Sequence, residues 1–536
     1  ETTQIGGPPL PFHPLPPRPC GLPFRFRLPG FREISTQIPR HFAYFAKFPH
    51  VAKFPTRRLA KRKIAGGAGI HVAWVHGEPC RAVPSRGDRR ERIFLDDAGR
   101  YDFLKISKPS RGNGQAKNRQ LSFGGGGGTI RRMRISFFLA AGLLAVAARA
   151  ENWPEWRGAT RDGVSTEQNL PLRWSATENV RWKLPLPDRG NSTPIVWGSR
   201  VFLTQAIEDE GKRLLMCVDR RDGKVLWQKG TVFAAKEQSH DTNPQCSASP
   251  ATDGERVVAW FGSAGVFCYD FEGRELWKTD LGKQTHEWGY ASSPVLHGDW
   301  VFVNFGPGER SFLVALDKRT GAEVWRNAIE AKHYKERKDG FAGQGRGIQG
   351  SWSTPIVVDE KLVITLPDKM SAFDLKTGQE IWSVPGMNPL IYTSPVYGEG
   401  VIVGNGGFMG PDLAVKPDGE RLWEGGKTAN RLGSAVIKDG YFYLMGMPGI
   451  AECIELKTGK KVWEERARGQ GPKNDSWSSV VLAGDRVYAL NQSGDTIVMR
   501  ASPKFEILQV NSLGNEMCNA SLAVSDGDFF IRTHKN

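Results

Sequence analysis

The chain has 536 residues, 39% of them hydrophobic and 24% charged, with a formal net charge of +16, which is long enough for one large domain or several ordinary ones. The charge is uneven: 25 of the 73 Lys and Arg but only 8 of the 57 Asp and Glu fall in residues 1–132, leaving +17 there and −1 in the rest. Residues 133–536 therefore carry no field that would draw them to nucleic acid, and that function class is excluded for them.

Residues 1–132 open on Glu1, contain the Pro-rich tract GGPPLPFHPLPPRPCGLP and a run of five Gly from Gly124 to Gly128, and sustain neither a helical nor a strand period. Such composition cannot bury enough apolar surface to order itself. A disordered basic leader is expected, more readily a product of upstream translation than part of the natural protein. Residues 133–150 read as a secretory signal peptide: Met133-Arg134 is a short basic start, Ile135 to Ala147 an apolar run, and Ala148-Arg149-Ala150 an A-x-A cleavage site. The apolar run is too short to span a membrane. No Cys follows the site, so the mature chain is expected to be exported to a periplasm or secreted, and not as a lipoprotein.

Residues 151–179, which include Trp153, Trp156 and Arg157, read as an aromatic lead-in that lays its indoles on the domain. From residue 180 to 536 one pattern returns: small-x-Asp-x-x-x-Gly-x-x-x-Trp. It runs from Ala315 through Asp317 and Gly321 to Trp325, from Ala372 through Asp374 and Gly378 to Trp382, and, with Cys in the small position, from Cys217 through Asp219 to Trp227. Cys453 to Trp463 has Glu for Asp, and shorter copies end at Trp277 and Trp423. In each, an apolar strand ends at an acid that binds turn amides, Gly supplies a positive φ, and the next strand carries the Trp. A second signal marks the start of each unit, at Thr193, Ser249, Ser293, Thr354, Ser394, Ser434, Ser479 and Ser521. Spacings near the forties leave room for four short strands per unit, as in a propeller blade. Val180 to Leu184 reads as a Trp strand without a hairpin partner, and the unit beginning at Ser521 lacks a Trp strand. Joining these two incomplete pieces closes the ring, with the last blade one strand short.

The repeat resembles the Trp-docking repeat of quinoprotein-like (pyrroloquinoline-quinone-type) β-propellers, a family that includes quinoprotein alcohol dehydrogenases and BamB-type outer-membrane assembly factors. The resemblance implies an all-β, eight-bladed propeller, with seven blades as the alternative. It also implies that a dehydrogenase of the family holds its quinone under a disulfide of adjacent cysteines beside Ca²⁺. This sequence has no adjacent Cys pair, so no cofactor is expected. Cys217, Cys268 and Cys453 fill the small position of the repeat, while Cys246 and Cys518 precede the second and eighth unit starts and leave a disulfide open.

Loops leading into the innermost strands of a propeller ring one mouth of its channel, and here they carry His240, Asn243, His286, Trp288, Arg346, Trp352, Tyr392, Arg431 and Trp477. Indoles, imidazoles and guanidiniums converging there would suit a planar or sugar-like ligand. No catalytic or metal-binding motif stands out. The reading is a non-catalytic exported monomer that binds a protein partner or small ligand at the mouth. A quinone-dependent dehydrogenase is the alternative, and a hydrolase or lyase using His240 and His286 a further one.

Overall fold

The computed structural model describes residues 151–330, 350–426 and 430–536. The leader, the signal peptide and Arg346 lie outside the described residues. The regular secondary structure of the described residues is β-strand, apart from two 3₁₀ turns, Glu208–Glu210 and Gly262–Ala264. No helix among them is long and apolar enough to cross a membrane.

The first repeat shows the plan. Ile195–Trp197, Arg200–Ile207, Lys212–Asp219 and Val225–Val232 pair consecutively into a four-stranded antiparallel sheet. Five more sheets repeat this order. A seventh adds Val164–Ser165 of the lead-in, parallel to Val481–Ala483. Ala523–Ser525 and Asp528–Phe530 make a final two-stranded sheet. The first three strands of each sheet are almost wholly buried, because each sheet is packed on both faces by its neighbours. The fourth strand alternates: in Glu323–Ile329, Val324 is 46% exposed and Trp325 8%.

The recurrent residues meet where the pattern requires. Asp317 Oδ1 accepts the backbone N–H groups of Arg319 (3.0 Å) and Thr320 (2.8 Å), closing the turn. Gly321 sits at φ +73°, and a Cβ there would lie 2.5 Å from the Trp277 ring. Glycine is thus required for backbone conformation and for the approach of the preceding repeat's indole. That indole donates Nε1–H to the Lys318 carbonyl at 2.9 Å, and Trp325 does the same to Leu375 at 2.9 Å. Within a sheet the small residue stands directly opposite the Trp, as Cys217 opposite Trp227 and Ala315 opposite Trp325.

The unit-start residues form a cycle. The backbone N–H of Thr193 donates to Ser249 Oγ, Ser249 to Ser293, Ser293 to Thr354, Thr354 to Ser394, Ser394 to Ser434, Ser434 to Ser479 and Ser479 to Ser521, all at 2.8–3.0 Å. Ser521 N–H then donates to Thr193 Oγ1 at 3.0 Å, closing the cycle.

One expectation needs correction, and one pairing left open by the sequence is resolved. Val180–Leu184 is not a strand: residues 181–185 make no backbone–backbone hydrogen bond among the described residues, because no neighbouring strand lies beside them to complete a ladder. Trp182 nevertheless donates Nε1–H to Arg220 O at 2.8 Å, the same kind of contact its counterparts make. Cys246 and Cys518 are free thiols, buried in different parts of the core, and burial pushes each up to about 12.

Candidate functional site at the channel mouth

The loops before the unit starts are laced to one another by side-chain amides and backbone carbonyls. Asn191 Nδ2 donates to Thr242 O (2.9 Å), Asn243 Nδ2 to Trp288 O (2.7 Å) and Tyr290 O (3.1 Å), and Trp352 Nε1 to Gly289 O (3.0 Å). From the other end of the chain, Asn519 Nδ2 also reaches Thr242 O, at 3.4 Å. Residues distant in sequence are thereby fixed side by side.

This lacing gathers five of the expected residues into one aromatic cluster. Trp288 and Trp352 stack with ring centroids 5.9 Å apart, Tyr392 lies 5.3 Å from Trp352 and 6.4 Å from Trp288, and His286 meets Trp352 edge-on at 5.0 Å. His240 approaches the edge of Trp288 at 6.0 Å. Trp352 and His286 are buried and form the base; Trp288 and Tyr392 are half-buried and His240 is exposed. Each imidazole is set by its own loop: His240 Nδ1 lies 2.7 Å from Thr242 Oγ1, and His286 Nδ1 accepts the Trp288 amide at 3.1 Å. Such a cluster offers aromatic faces with polar edges, suited to stacking against a flat or amphipathic group.

Two expected residues stand apart. Arg431 is fully buried between carboxylates, with Nη1 2.5 Å from Asp412 and Nη2 2.7 Å from Glu452. Burial alone would lower its pKa, but the two acids reverse this and raise it. Its guanidinium is committed to structure. Trp477 is half-buried and belongs to no aromatic pair among the described residues.

The inner strands carry what sequence reasoning missed. Residues Trp153 to Gly163 of the lead-in touch the inner strands of five repeats: Trp153 pairs with Val196, Pro154 O accepts from Thr252, Arg161 donates to Leu296 O at 2.7 Å, Arg157 donates to Ala435 O and, at 2.8 Å, to Val480 O, and Gly163 O accepts from Leu482. Glu155 is buried with Arg161 at 2.8 Å, and burial, outweighing that partner, raises its pKa to about 7. The sequence signal was an Arg and a Glu inside an aromatic segment, a combination equally common in loops.

The sequence has no adjacent cysteine pair, the five thiols of the domain are buried singly, and no group of three or more His, Cys, Asp or Glu among the described residues could hold a metal ion.

The family described as outer membrane protein assembly factor BamB matches residues 164–303, 263–431 and 309–510 in overlapping spans. The chain is 22% identical over 313 residues to a BamB of Yersinia pestis, covering 53% of this chain and 72% of that protein. It is also 22% identical over 263 residues to a polyvinylalcohol dehydrogenase of Pseudomonas sp, but spans only 40% of that protein's length. Among solved structures, a europium-containing methanol dehydrogenase aligns at TM-score 0.52 and 13% identity, covering 69% of this chain and 87% of the other. The quinohemoprotein alcohol dehydrogenase ADHIIG of Pseudomonas putida aligns at TM-score 0.52 and 14% identity, covering 71% and 75%. At these identities the structures establish the fold, a β-propeller, and leave chemistry to the site itself. With matches running from residue 164 to residue 510, the chain belongs to the family of the outer membrane protein assembly factor BamB.

Proposed function

We propose that this chain is an exported, eight-bladed, non-catalytic propeller that binds a protein partner through a flat or amphipathic group received at the channel mouth. The observation that carries this reading is the cluster of His240, Trp288, Trp352 and Tyr392, assembled from four loops, while the lead-in covers the inner strands. Aromatic anchors set on a rigid base are the usual energetic centre of a binding surface. The eighth blade in this reading consists of the Ser521 unit completed by the segment carrying Trp182. A protein partner is favoured because the family's name describes an assembly factor.

Two experiments test the reading. N-terminal sequencing of the exported form should read Glu151-Asn152-Trp153; peptides from residues 1–132 in that fraction would contradict export from Met133. Affinity purification of the full chain should recover a partner that is lost from a His240→Ala, Tyr392→Ala double variant of unchanged melting temperature. Equal recovery with both forms would move the interaction away from the mouth.

A further inference from the structure

Between the strands Val401–Gly404 and Leu413–Val415, residues 405–412 form a short projection beside the mouth cluster. Asn388 Nδ2 donates to Phe408 O at 2.5 Å, and a Cβ on Gly407 would lie 2.8 Å from Leu390 O and 3.2 Å from the Tyr392 ring. The projection therefore packs against the loop that carries Tyr392. A Cβ on Gly406 would lie 2.0 Å from Pro411 O, and one on Gly410 2.2 Å from Gly406 O, so the two arms meet as closely as only glycine allows. Asp412 Oδ1 accepts the Gly406 amide at 3.2 Å and buried Arg431 Nη1 at 2.6 Å, while the Arg431 backbone N–H donates to Gly407 O at 3.1 Å. Arg431 thereby fastens the projection to the next repeat.

At the tip stands Met409, 38% exposed and at φ +55°. That left-handed conformation costs free energy in any residue with a Cβ. The other non-glycine residues with positive φ among the described ones are Arg, Asn, Asp or Glu, apart from the fully buried Cys246. Its exposure stands out in the same way: apart from Val180, the other exposed large apolar side chains among the described residues lie on fourth strands, as Val324 and Val462 do. Strain held in place by close-packed glycines and a buried ion pair is a mark of functional positions, and Met adapts its shape to apolar groups brought against it. Charge indicates what it meets. Residues 386–392 and 405–411 contain no charged side chain, whereas the loops before the first three unit starts carry Asp188, Arg189, Asp241 and Glu287. A charged group brought against the uncharged side would lose hydration without gaining a counter-charge.

We propose that Met409 is a specificity-determining residue of the mouth: with Phe408 and Tyr392 it receives an uncharged, apolar side chain of the partner polypeptide. The inference rests on binding at the mouth and adds the chemistry of the group received there.

The probe is a random peptide library displayed on phage and selected on the full-length protein. Selected peptides should be enriched in Leu, Met and Phe over Asp, Glu, Lys and Arg. By fluorescence anisotropy, labelled copies should bind Met409→Gly about tenfold more weakly, the factor expected for losing one buried Met side chain. Glycine adopts φ +55° without strain, so the melting temperature of this variant should not fall. Met409→Asn, polar and tolerant of the same φ, should lose binding to the same extent. Tyr392→Ala is the control for the mouth itself. Binding lost in Tyr392→Ala but kept in both Met409 variants would overturn the role of Met409 and leave the mouth as the site; binding kept in all three would overturn the mouth as well. Failure to enrich any sequence, or enrichment of charged ones, would also overturn the proposal.

Discussion

Ser521 donates its backbone N–H to the hydroxyl of Thr193 at 3.0 Å, joining two residues 328 positions apart and completing a cycle of eight such bonds. Each link has the same chemistry, a buried amide on a neighbouring repeat's hydroxyl, so the cycle ties the last repeat to the first in the same way as any adjacent pair. Because Thr193 Oγ1 is the acceptor for a buried N–H, its removal leaves a donor unsatisfied.

Thr193→Val should therefore lower stability by about 1–3 kcal/mol, the cost of orphaning a buried donor. Chemical denaturation checks the magnitude. Hydrogen exchange checks the place: the amide of Ser521 should lose protection, while that of Thr354, in the middle of the cycle, keeps it.

Trp325→Ala removes an indole that is 8% exposed and donates to Leu375 O. Truncation of a buried Trp typically costs about 3–5 kcal/mol, and Trp382→Ala, at a half-buried ring with a 3.1 Å bond to Pro417 O, should cost less. An unchanged denaturation midpoint for Trp325→Ala would contradict its place in the seam between repeats.

Glu155 carries a pH dependence of definite sign. Burial raises its carboxyl to about 7 in the folded chain from an ordinary value of 4.5. The folded state then holds a proton that the unfolded state has released between these values, so this contribution is fully present below about 4.5 and is lost as pH rises through about 7. Glu155→Gln stays neutral throughout. Relative to the variant, the natural chain should lose stability across that window, by about 3 kcal/mol at most; a difference that does not change with pH would contradict the burial of this carboxyl.

The repeat was legible because its physics is local. The acid, the Gly and the Trp of each copy act within a turn or on the adjacent repeat, so their spacing survives in sequence, as it does for Asp317, Gly321 and Trp325. The Ser/Thr unit starts were equally plain as positions, although the bonds between them appear only in three dimensions. The mouth was half legible. His240, His286, Trp288, Trp352 and Tyr392 do assemble, but Arg431, chosen by the same rule, is buried against Asp412 and Glu452. Those acids lie 19 and 21 residues away, Asp412 just before the strand Leu413–Val415 and Glu452 on the strand Ile450–Glu455, whose facing the loop sequence does not report. Trp352 belongs to the buried base, so its truncation would cost stability and would not probe binding cleanly. The lead-in was read as an aromatic cover, and only the fold shows Arg157 reaching Ala435 and Val480.

The central claim is that the mouth cluster is where this propeller meets its partner. The most direct measurement places a photo-activatable cross-linking residue at His240, exposed at the cluster's edge, and separately at Val462, exposed on an outer strand. Each full-length protein is then irradiated in cells that export it. The account predicts a discrete adduct from position 240 that is absent from position 462 and is lost when Tyr392→Ala is added. Adducts from position 462 alone, or from both positions regardless of Tyr392, would contradict it.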